Sequence, residues 1–578
     1  MKKVMFIRPW NYHDENISLH NLCEEWRNGP YNLLCLATQL KVHNIPVKIV
    51  DLEPILVHNK GKLDKCLEHL YEQIMDFRPD IIGVSFFSFQ LDEVKSIVEF
   101  VRNTCSKLGL NSIFLAGGIH ASIEPLQTIE ELGFDYAFVG EGDLGIIDLA
   151  LCDDPTKVKG IISSKLQVNQ SGEEVLNLND LPFPDWSLCD YKFYSTPSIA
   201  KTKVKIAKTL DLMMGRGCVN KCKFCAYSAL SSVRFYSAEY LVKQIEDMIY
   251  KYDIDSVYFI DSSIGNNRRL LSEFCNLMIE TGVSKKIQWF ANIRANQVDE
   301  EILKLMWTSG CRLLFYGFES GSQKILNAMN KGCTVEQNII ASKLHEKLKF
   351  PYHASILLGY PNETEEDILL TFEFLKSISP TNIGVNWYVP LPGSNDYEEL
   401  RKKGLVKFQD THEWRRIGEA LENGNVYAEI DPDRFKFLYK KALSIANEAI
   451  ISNSQFWFGD SIKENRINMK YTEVLKGHDD INKRVKVCIF GASGCGKYIY
   501  DEIQKTNKNF QCKIDIKIYM DNDPQKWCSK LNNIQIMKPS KEYIDMVDYV
   551  IIASNWKLEI KEQLINLGVK EEKILFSF

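Results

Sequence analysis

Residues 209–225 read TLDLMMGRGCVNKCKFC, an apolar run that breaks into a loop carrying Cys218, Cys222 and Cys225. Three and two residues separate these thiols, and the run before them has the length and composition of a buried strand. Thiolates so placed suit a metal. A closed zinc site takes four ligands, and no further Cys or His pair nearby completes the set. A cubane iron–sulfur cluster on three thiolates leaves one iron free for a further ligand. A structural zinc knuckle is the alternative reading.

Downstream, apolar runs alternate with amphipathic segments: SVYFID, IQWFANI, RLLFYGF, YHASILLG and NIGVNWYV, with AEYLVKQIEDMIYKY and DEEILKLMWTSG among the segments between them. Six β–α units over 208–400 predict a curled, partial barrel, with its site at the carboxyl ends of the strands. Upstream, residues 1–151 carry the short apolar runs VMFI, LLCLATQL, VKIVDL, DIIGVSFF, SIFLAGG and YAFVGEG, and the helical LDKCLEHLYEQIMDF. That pattern predicts a doubly wound α/β domain, whose ligands sit outside the carboxyl ends of its strands. Ser85, Gly117, Gly118, Gly140, Glu141 and Gly142 fall there. Residues 152–207, with Pro182 and Pro184, read as a linker, and 401–484 as a helical extension and linker without a legible function.

The last region, 485–578, reads as a small Rossmann-like domain opening with KVCIF and GASGCGKY. Gly491, Gly494 and Gly496 permit a tight turn facing an anion at a helix start. Tyr498 stands where a P-loop needs Ser or Thr, so that reading fails. Asp521 and Asp523 in MDND could hold a ribose. The region resembles Rossmann-like modules attached to sugar- and polysaccharide-related enzymes; nucleotide binding and a purely interacting role both stay open.

Composition narrows the classes. The 578 residues carry a net charge of −6 and are 45% hydrophobic, which gives no electrostatic footprint for nucleic acid. No apolar run reaches the roughly 18 residues of a membrane span, and the short start MKKVMFI does not suit a signal peptide. Most of the 16 cysteines sit singly among apolar residues and read as small core hydrophobes. A cytoplasmic chain is the expectation.

The cysteine loop, Cys-x3-Cys-x2-Cys with Phe224 before the last cysteine, resembles the radical S-adenosylmethionine (SAM) superfamily. The resemblance implies a 4Fe–4S cluster on Cys218, Cys222 and Cys225, SAM on its open iron, and Phe224 packed against adenine. It extends over about 208–393. Asp261 in YFIDSS resembles a strand end near the amino group of SAM, although the superfamily's Gly-Gly-Glu form is absent. Arg294 in ANIRAN resembles a position meeting the carboxylate or ribose. Gly317, Glu319, Ser320 and Gly321 in GFESGS resemble the ribose turn, and Gly359 in ILLGYPNETEED the turn approaching adenine.

A doubly wound domain ahead of such a barrel resembles the cobalamin-binding subclass, through RPW, YNLLCLATQLKVHNIPVKIVDL, PDIIGVSFFSFQ, LAGGIHAS and FVGEGD. The resemblance implies corrinoid against Ser85, Gly117, Gly118, His120, Gly140, Glu141 and Gly142. The Asp-x-His-x-x-Gly run that supplies a lower cobalt ligand in many cobalamin proteins is absent, as is typical of this subclass. A domain that keeps the fold without the cofactor is the alternative. The methylthiotransferase relatives, with three further cluster cysteines, fit poorly: Cys23, Cys35 and Cys66 lack the corresponding motifs.

These resemblances imply a cobalamin-dependent radical SAM methyltransferase acting on an unactivated carbon of a small biosynthetic substrate, with an electron donor such as flavodoxin or ferredoxin. The alternatives are a radical cyclase, oxidase or rearrangement enzyme, or a non-catalytic redox or ligand sensor. No loop names the substrate.

Overall fold

The structure is a computed structural model describing residues 2–10, 28–59, 61–164, 171–195, 207–226, 232–406, 427–450, 452–453, 457, 484–492, 499–500, 503–504, 513–553, 557–570 and 573–576. It divides into two compact units, Met1–Ile450 and Ile451–Phe578.

In the first unit, β1 (Val4–Arg8), β2 (Val47–Asp51), β3 (Ile81–Ser85), β4 (Ile113–Gly117), β5 (Tyr136–Phe138) and β6 (Ile161–Ile162) form a sheet in the order β2-β1-β3-β4-β5-β6. Its pairs are parallel except β5 with β6. Helices cover both faces, which is why VMFI is apolar at every position rather than alternating. Val4 and Phe6 pack into one cluster with Leu33, Ala37 and Leu40; Met5 and Ile7 pack into the opposite one with Leu70 and Ile74. The helix Leu63–Phe77 buries only Cys66, Leu70 and Ile74, one residue per turn, and ends where Arg78 turns left-handed. Burying each such Leu or Ile is worth about 1.5–3 kcal/mol. The apolar run LLCLATQL is not a strand: it lies in the helix Tyr31–Val42, with Leu33, Leu34, Ala37 and Leu40 inward. The strand order reverses at β1 and β3, which opens a crevice at their carboxyl ends.

The stretch read as a linker is packed. β6 extends the first sheet beyond residue 151, and Trp186 is fully buried, its backbone N–H donating to Tyr252 Oη at 3.0 Å. Asp185 accepts from Lys41 Nζ at 2.6 Å, and its own N–H donates to Thr38 Oγ1 at 2.9 Å.

A second sheet follows. Its strands are β7 (Thr209–Leu212), β10 (Ser256–Phe259), β11 (Gln288–Ile293), β12 (Cys311–Glu319), β13 (Tyr352–Leu358) and β14 (Asn382–Trp387), all parallel, in the order β14-β13-β12-β11-β10-β7. A two-residue hairpin, β8 (Gly215–Arg216) with β9 (Arg234–Phe235), sits at the exit of β7. β7 and β14 do not pair with each other, so the barrel is partial. Along β13 every second residue is buried outward, leaving His353, Ser355 and Leu357 toward the interior. Residues 432–450 are helical, with Phe435, Leu438 and Ala442 buried; 407–426 and 458–483, which hold much of the stretch read as a helical extension, lie outside the described residues.

The second unit holds β15 (Arg484–Phe490), β16 (Lys513–Met520), β17 (Lys530–Leu531), β18 (Ile534–Met537), β19 (Tyr549–Ile552) and β20 (Ile574–Phe576), in the order β17-β18-β16-β15-β19-β20. The Rossmann-like reading of 485–578 corresponds to this sheet, parallel except at β17 with β18.

Candidate functional site

The cysteine loop is held at its base by Asp261. Its Oδ2 accepts the N–H of Met214 and its Oδ1 that of Gly215, both at 2.8 Å. Burial pushes this carboxyl up to about 7 against the two backbone donors, which favour the charged form. Asp261 therefore faces the backbone, and its neighbour Ser262 lines the cavity beyond.

That cavity, about 350 Å³, lies at the carboxyl ends of the barrel strands and is lined by Cys218, Cys222, Cys225 and Phe224. Asn220 Nδ2 donates to Cys218 Sγ at 3.6 Å. Burial raises the Cys218 thiol, but hydrogen bonds from Ser262, Asn220 and Asn266 outweigh it, and its pKa falls below the usual thiol value. Arg294 Nη1 donates to Cys222 Sγ at 3.4 Å and Nη2 to Cys333 Sγ at 3.7 Å. Its buried Nε has no hydrogen-bond partner among the described residues, and the residue lines the same cavity. Among the described residues no three His, Cys, Asp or Glu side chains close on a single metal ion; thiolates on separate irons of a cubane stand farther apart than thiolates sharing one ion.

Further lining comes from β12 and the turn after it. Glu319 has φ +65° and pairs with Lys331 Nζ at 2.7 Å, and that ammonium lies 5.8 Å from the Phe224 ring centroid. A Cβ on Gly317 would stand 2.2 Å from Glu319 Oε1, so a side chain there would displace the carboxylate from this position. Ser320 is fully buried and points to the turn, its Oγ 3.2 Å from Thr371 Oγ1 and accepting the Ser322 N–H. Gly359, with φ +86°, donates its N–H to Glu363 Oε2 at 2.5 Å; burial pushes that carboxyl up to about 8. Of the barrel positions expected from sequence, Phe224, Arg294, Gly317 and Glu319 line the cavity with the three cysteines, whereas Asp261, Ser320 and Gly359 shape the turns around it.

Asn292, Lys331, His353 and Ser355 also line it and were missed. The alternation of YHASILLG carried the signal for His353 and Ser355, since every second residue of a barrel strand points inward.

In the first sheet, Ser85 Oγ accepts from Asn32 Nδ2 at 2.7 Å, and the Phe86 N–H donates to Gly117 O at 3.3 Å. Gly118 has φ +93°, and a Cβ there would meet Phe86 O at 2.8 Å. His120 is buried; its Nδ1 lies 2.9 Å from Ser88 Oγ, while Nε2 has no partner among the described residues. Burial lowers the imidazole to about 4, so it is neutral at neutral pH. The Gly140 N–H donates to Ser122 Oγ at 3.1 Å. Gly142 sits beside Leu36. Glu141 differs from expectation: its carboxylate pairs with Arg216 and Arg234 of the barrel's first hairpin, and those partners hold it toward the barrel.

In the second unit Gly494, Gly496 and Tyr498 lie outside the described residues. Asp521 Oδ2 accepts from Ala492 N–H at 2.7 Å and its Oδ1 from Asp523 N–H at 2.9 Å, so the carboxylate joins the ends of β15 and β16.

Comparison with known proteins matches residues 212–375 to the radical SAM superfamily, 28–150 to the B12 binding domain and 483–575 to the C2185-like N-terminal family. An uncharacterised methyltransferase of Pyrococcus horikoshii is 25% identical over 70% of this chain and 82% of its own length. The anaerobic magnesium-protoporphyrin IX monomethyl ester cyclase of Cereibacter sphaeroides is 25% identical over 65% of this chain and 62% of its own. Among solved structures, the radical SAM methyltransferase TsrM of Kitasatospora setae, with cobalamin and a [4Fe-4S] cluster bound, superposes with TM-score 0.57 at 16% identity, covering 78% of this chain and 91% of that one. The cobalamin-dependent radical enzyme OxsB superposes with TM-score 0.58 at 18% identity, over 82% and 76%. With a B12 binding domain, a radical SAM domain and the three-cysteine loop in one chain, the protein belongs to the cobalamin-binding-domain-containing radical S-adenosylmethionine enzymes.

Proposed function

We propose that the chain methylates an unactivated carbon of a small molecule. The observation that carries this is the convergence of Cys218, Cys222, Cys225, Arg294 and Glu319 on one cavity, in a chain that also carries a B12 binding domain. When bound, the cluster with SAM supplies a carbon-centred radical and cobalamin supplies a transferable methyl group.

The donor set fits these groups. Three thiols share the cavity, Arg294 Nε is a buried donor without a partner among the described residues, and Glu319 lines the cavity as an acceptor. Arg294 suits the carboxylate of SAM, Glu319 a ribose hydroxyl and Phe224 the adenine. On the first sheet, the backbone at Gly118 leaves no room for a side chain, and the neutral His120 turns Nδ1 to Ser88. Ser85, Gly117, Gly118 and Gly140 then provide close backbone approach for a corrinoid. His353, Ser355 and Asn292 face the cavity from the barrel interior and orient the substrate. A protein such as flavodoxin or ferredoxin delivers the electron. The cysteines, free of disulfides among the described residues, suit a reducing compartment such as the cytoplasm.

Ring closure with the same cofactors is the second reading, favoured by the likeness to the cyclase. Methyl-labelled SAM separates them. Methyl transfer puts the label into product and forms both S-adenosylhomocysteine and 5′-deoxyadenosine; a confirmed product without label rejects it.

A further inference from the structure

We propose that Arg216 is a positioning residue that locks the cluster loop to the corrinoid-facing loop of the first sheet, so that each cofactor site senses occupancy of the other. The inference rests on the reading that Gly140 faces cobalamin and Cys218 holds the cluster.

Arg216 stands two residues before Cys218, on β8. Its Nη1 and Nη2 reach Asp143 Oδ2 and Oδ1 at 2.6 and 3.0 Å, a two-pronged pair, and Nη1 also lies 2.9 Å from Glu141 Oε2. Arg234, its register partner in β9, donates through Nη1 to Glu141 Oε2 at 3.2 Å and to Val175 O at 2.6 Å. Glu174 approaches Arg234 as well, at 3.7 Å. The side chains are between 5% and 13% exposed for Asp143, Arg234, Glu141 and Arg216. Water therefore screens the pairs little, and the planar fork fixes orientation as well as distance.

This contact differs from ordinary docking of one domain on another. Arg401 and Glu124 also join the first sheet to the barrel, at 2.8 Å, but Arg401 is 55% exposed and lies far along the chain from the cysteines. Arg216 instead belongs to the cluster loop itself. Asp261 grips the same strand end through the amides of Met214 and Gly215. The loop is thus held from the barrel on one side and from residues 141–143 on the other. A ligand that shifts residues 140–143 moves Arg216, and the coupling is reciprocal by linkage.

The test uses the full chain, anaerobically reconstituted with iron and sulfide. The dissociation constant of hydroxocobalamin is measured with and without saturating SAM. The two should differ by about fivefold or more. Arg216→Lys keeps the charge but loses the fork, and should bring that ratio to one with iron content unchanged. Asp143→Asn should do the same and serves if the first variant fails to fold. Arg401→Gln should leave the ratio intact. Independent sites in the unaltered chain, or full coupling in soluble Arg216→Lys, would overturn the inference alone. An unaltered chain that retains no cobalamin would reject the functional reading with it.

Discussion

Arg294 Nη1 lies 3.4 Å from Cys222 Sγ and Nη2 3.7 Å from Cys333 Sγ, so one buried cation donates to two thiols on separate segments. Hydrogen bonds to cluster sulfurs and nearby charge set an iron–sulfur potential. A cation beside a ligating thiolate favours the reduced, more negative cluster.

Replacing Arg294 with Gln should make the cluster harder to reduce. The ratio of reduced to oxidised cluster at fixed potential should fall about tenfold, roughly 59 mV for a one-electron couple. A redox titration followed by electron paramagnetic resonance reads this directly. Cys333→Ser should retain full iron, whereas Cys222→Ala should not.

Glu319 and Lys331 form a pair with both side chains largely buried. Glu319→Gln removes the charged acceptor proposed to meet the ribose. Hydrogen bonds to charged groups are worth about 1.5–3 kcal/mol, so the dissociation constant of SAM should rise about tenfold or more. Equilibrium dialysis with iron content held equal checks it; unchanged affinity would reject the ribose role.

Asp261 gives a pH signature. Its carboxyl lies at about 7 in the folded chain against 3.8 for an aspartate free in water, chiefly through burial. The folded state therefore holds the proton more tightly. The resulting stability is complete below pH 3.8 and is lost as pH rises through about 7. Asp261→Asn should flatten the dependence of urea midpoint on pH across that window. It should also cost about 1–3 kcal/mol, because one backbone N–H loses its acceptor.

His120 is neutral, with Nδ1 at Ser88 and its ring 5.8 Å from that of Phe86. Protein loaded with cobalamin and reduced to Co(II) should show no nitrogen superhyperfine coupling from a histidine. Such coupling, lost in His120→Phe, would establish lower-face ligation.

The three sheets were legible because buried parallel strands are continuously apolar, as in VMFI and SVYFID, and because the cysteine spacing stands alone among 16 cysteines. The cavity wall was legible only in part. Ser262 rather than Asp261 reaches the cavity, because the carboxylate has two backbone amides to satisfy, and sequence does not reveal them. Glu141 read as a glycine-loop ligand, but its partners Arg216 and Arg234 arrive from 75 and 93 residues away. LLCLATQL has the length of a strand; only its flanks, packed as further helical turns, make it a helix. Trp186 lies among prolines and polar residues that suggest a linker, yet its indole fills the space beside Tyr31 and Tyr194.

Iron analysis and SAM cleavage in the Cys218→Ala/Cys222→Ala/Cys225→Ala variant, beside the unaltered chain, test the central assignment most directly. Anaerobically reconstituted and reduced with dithionite, the unaltered chain should hold one 4Fe–4S cluster and form 5′-deoxyadenosine from SAM. The variant should lose both while keeping the same far-ultraviolet circular dichroism. A folded variant with undiminished iron and undiminished 5′-deoxyadenosine would contradict the assignment of the cluster to this loop.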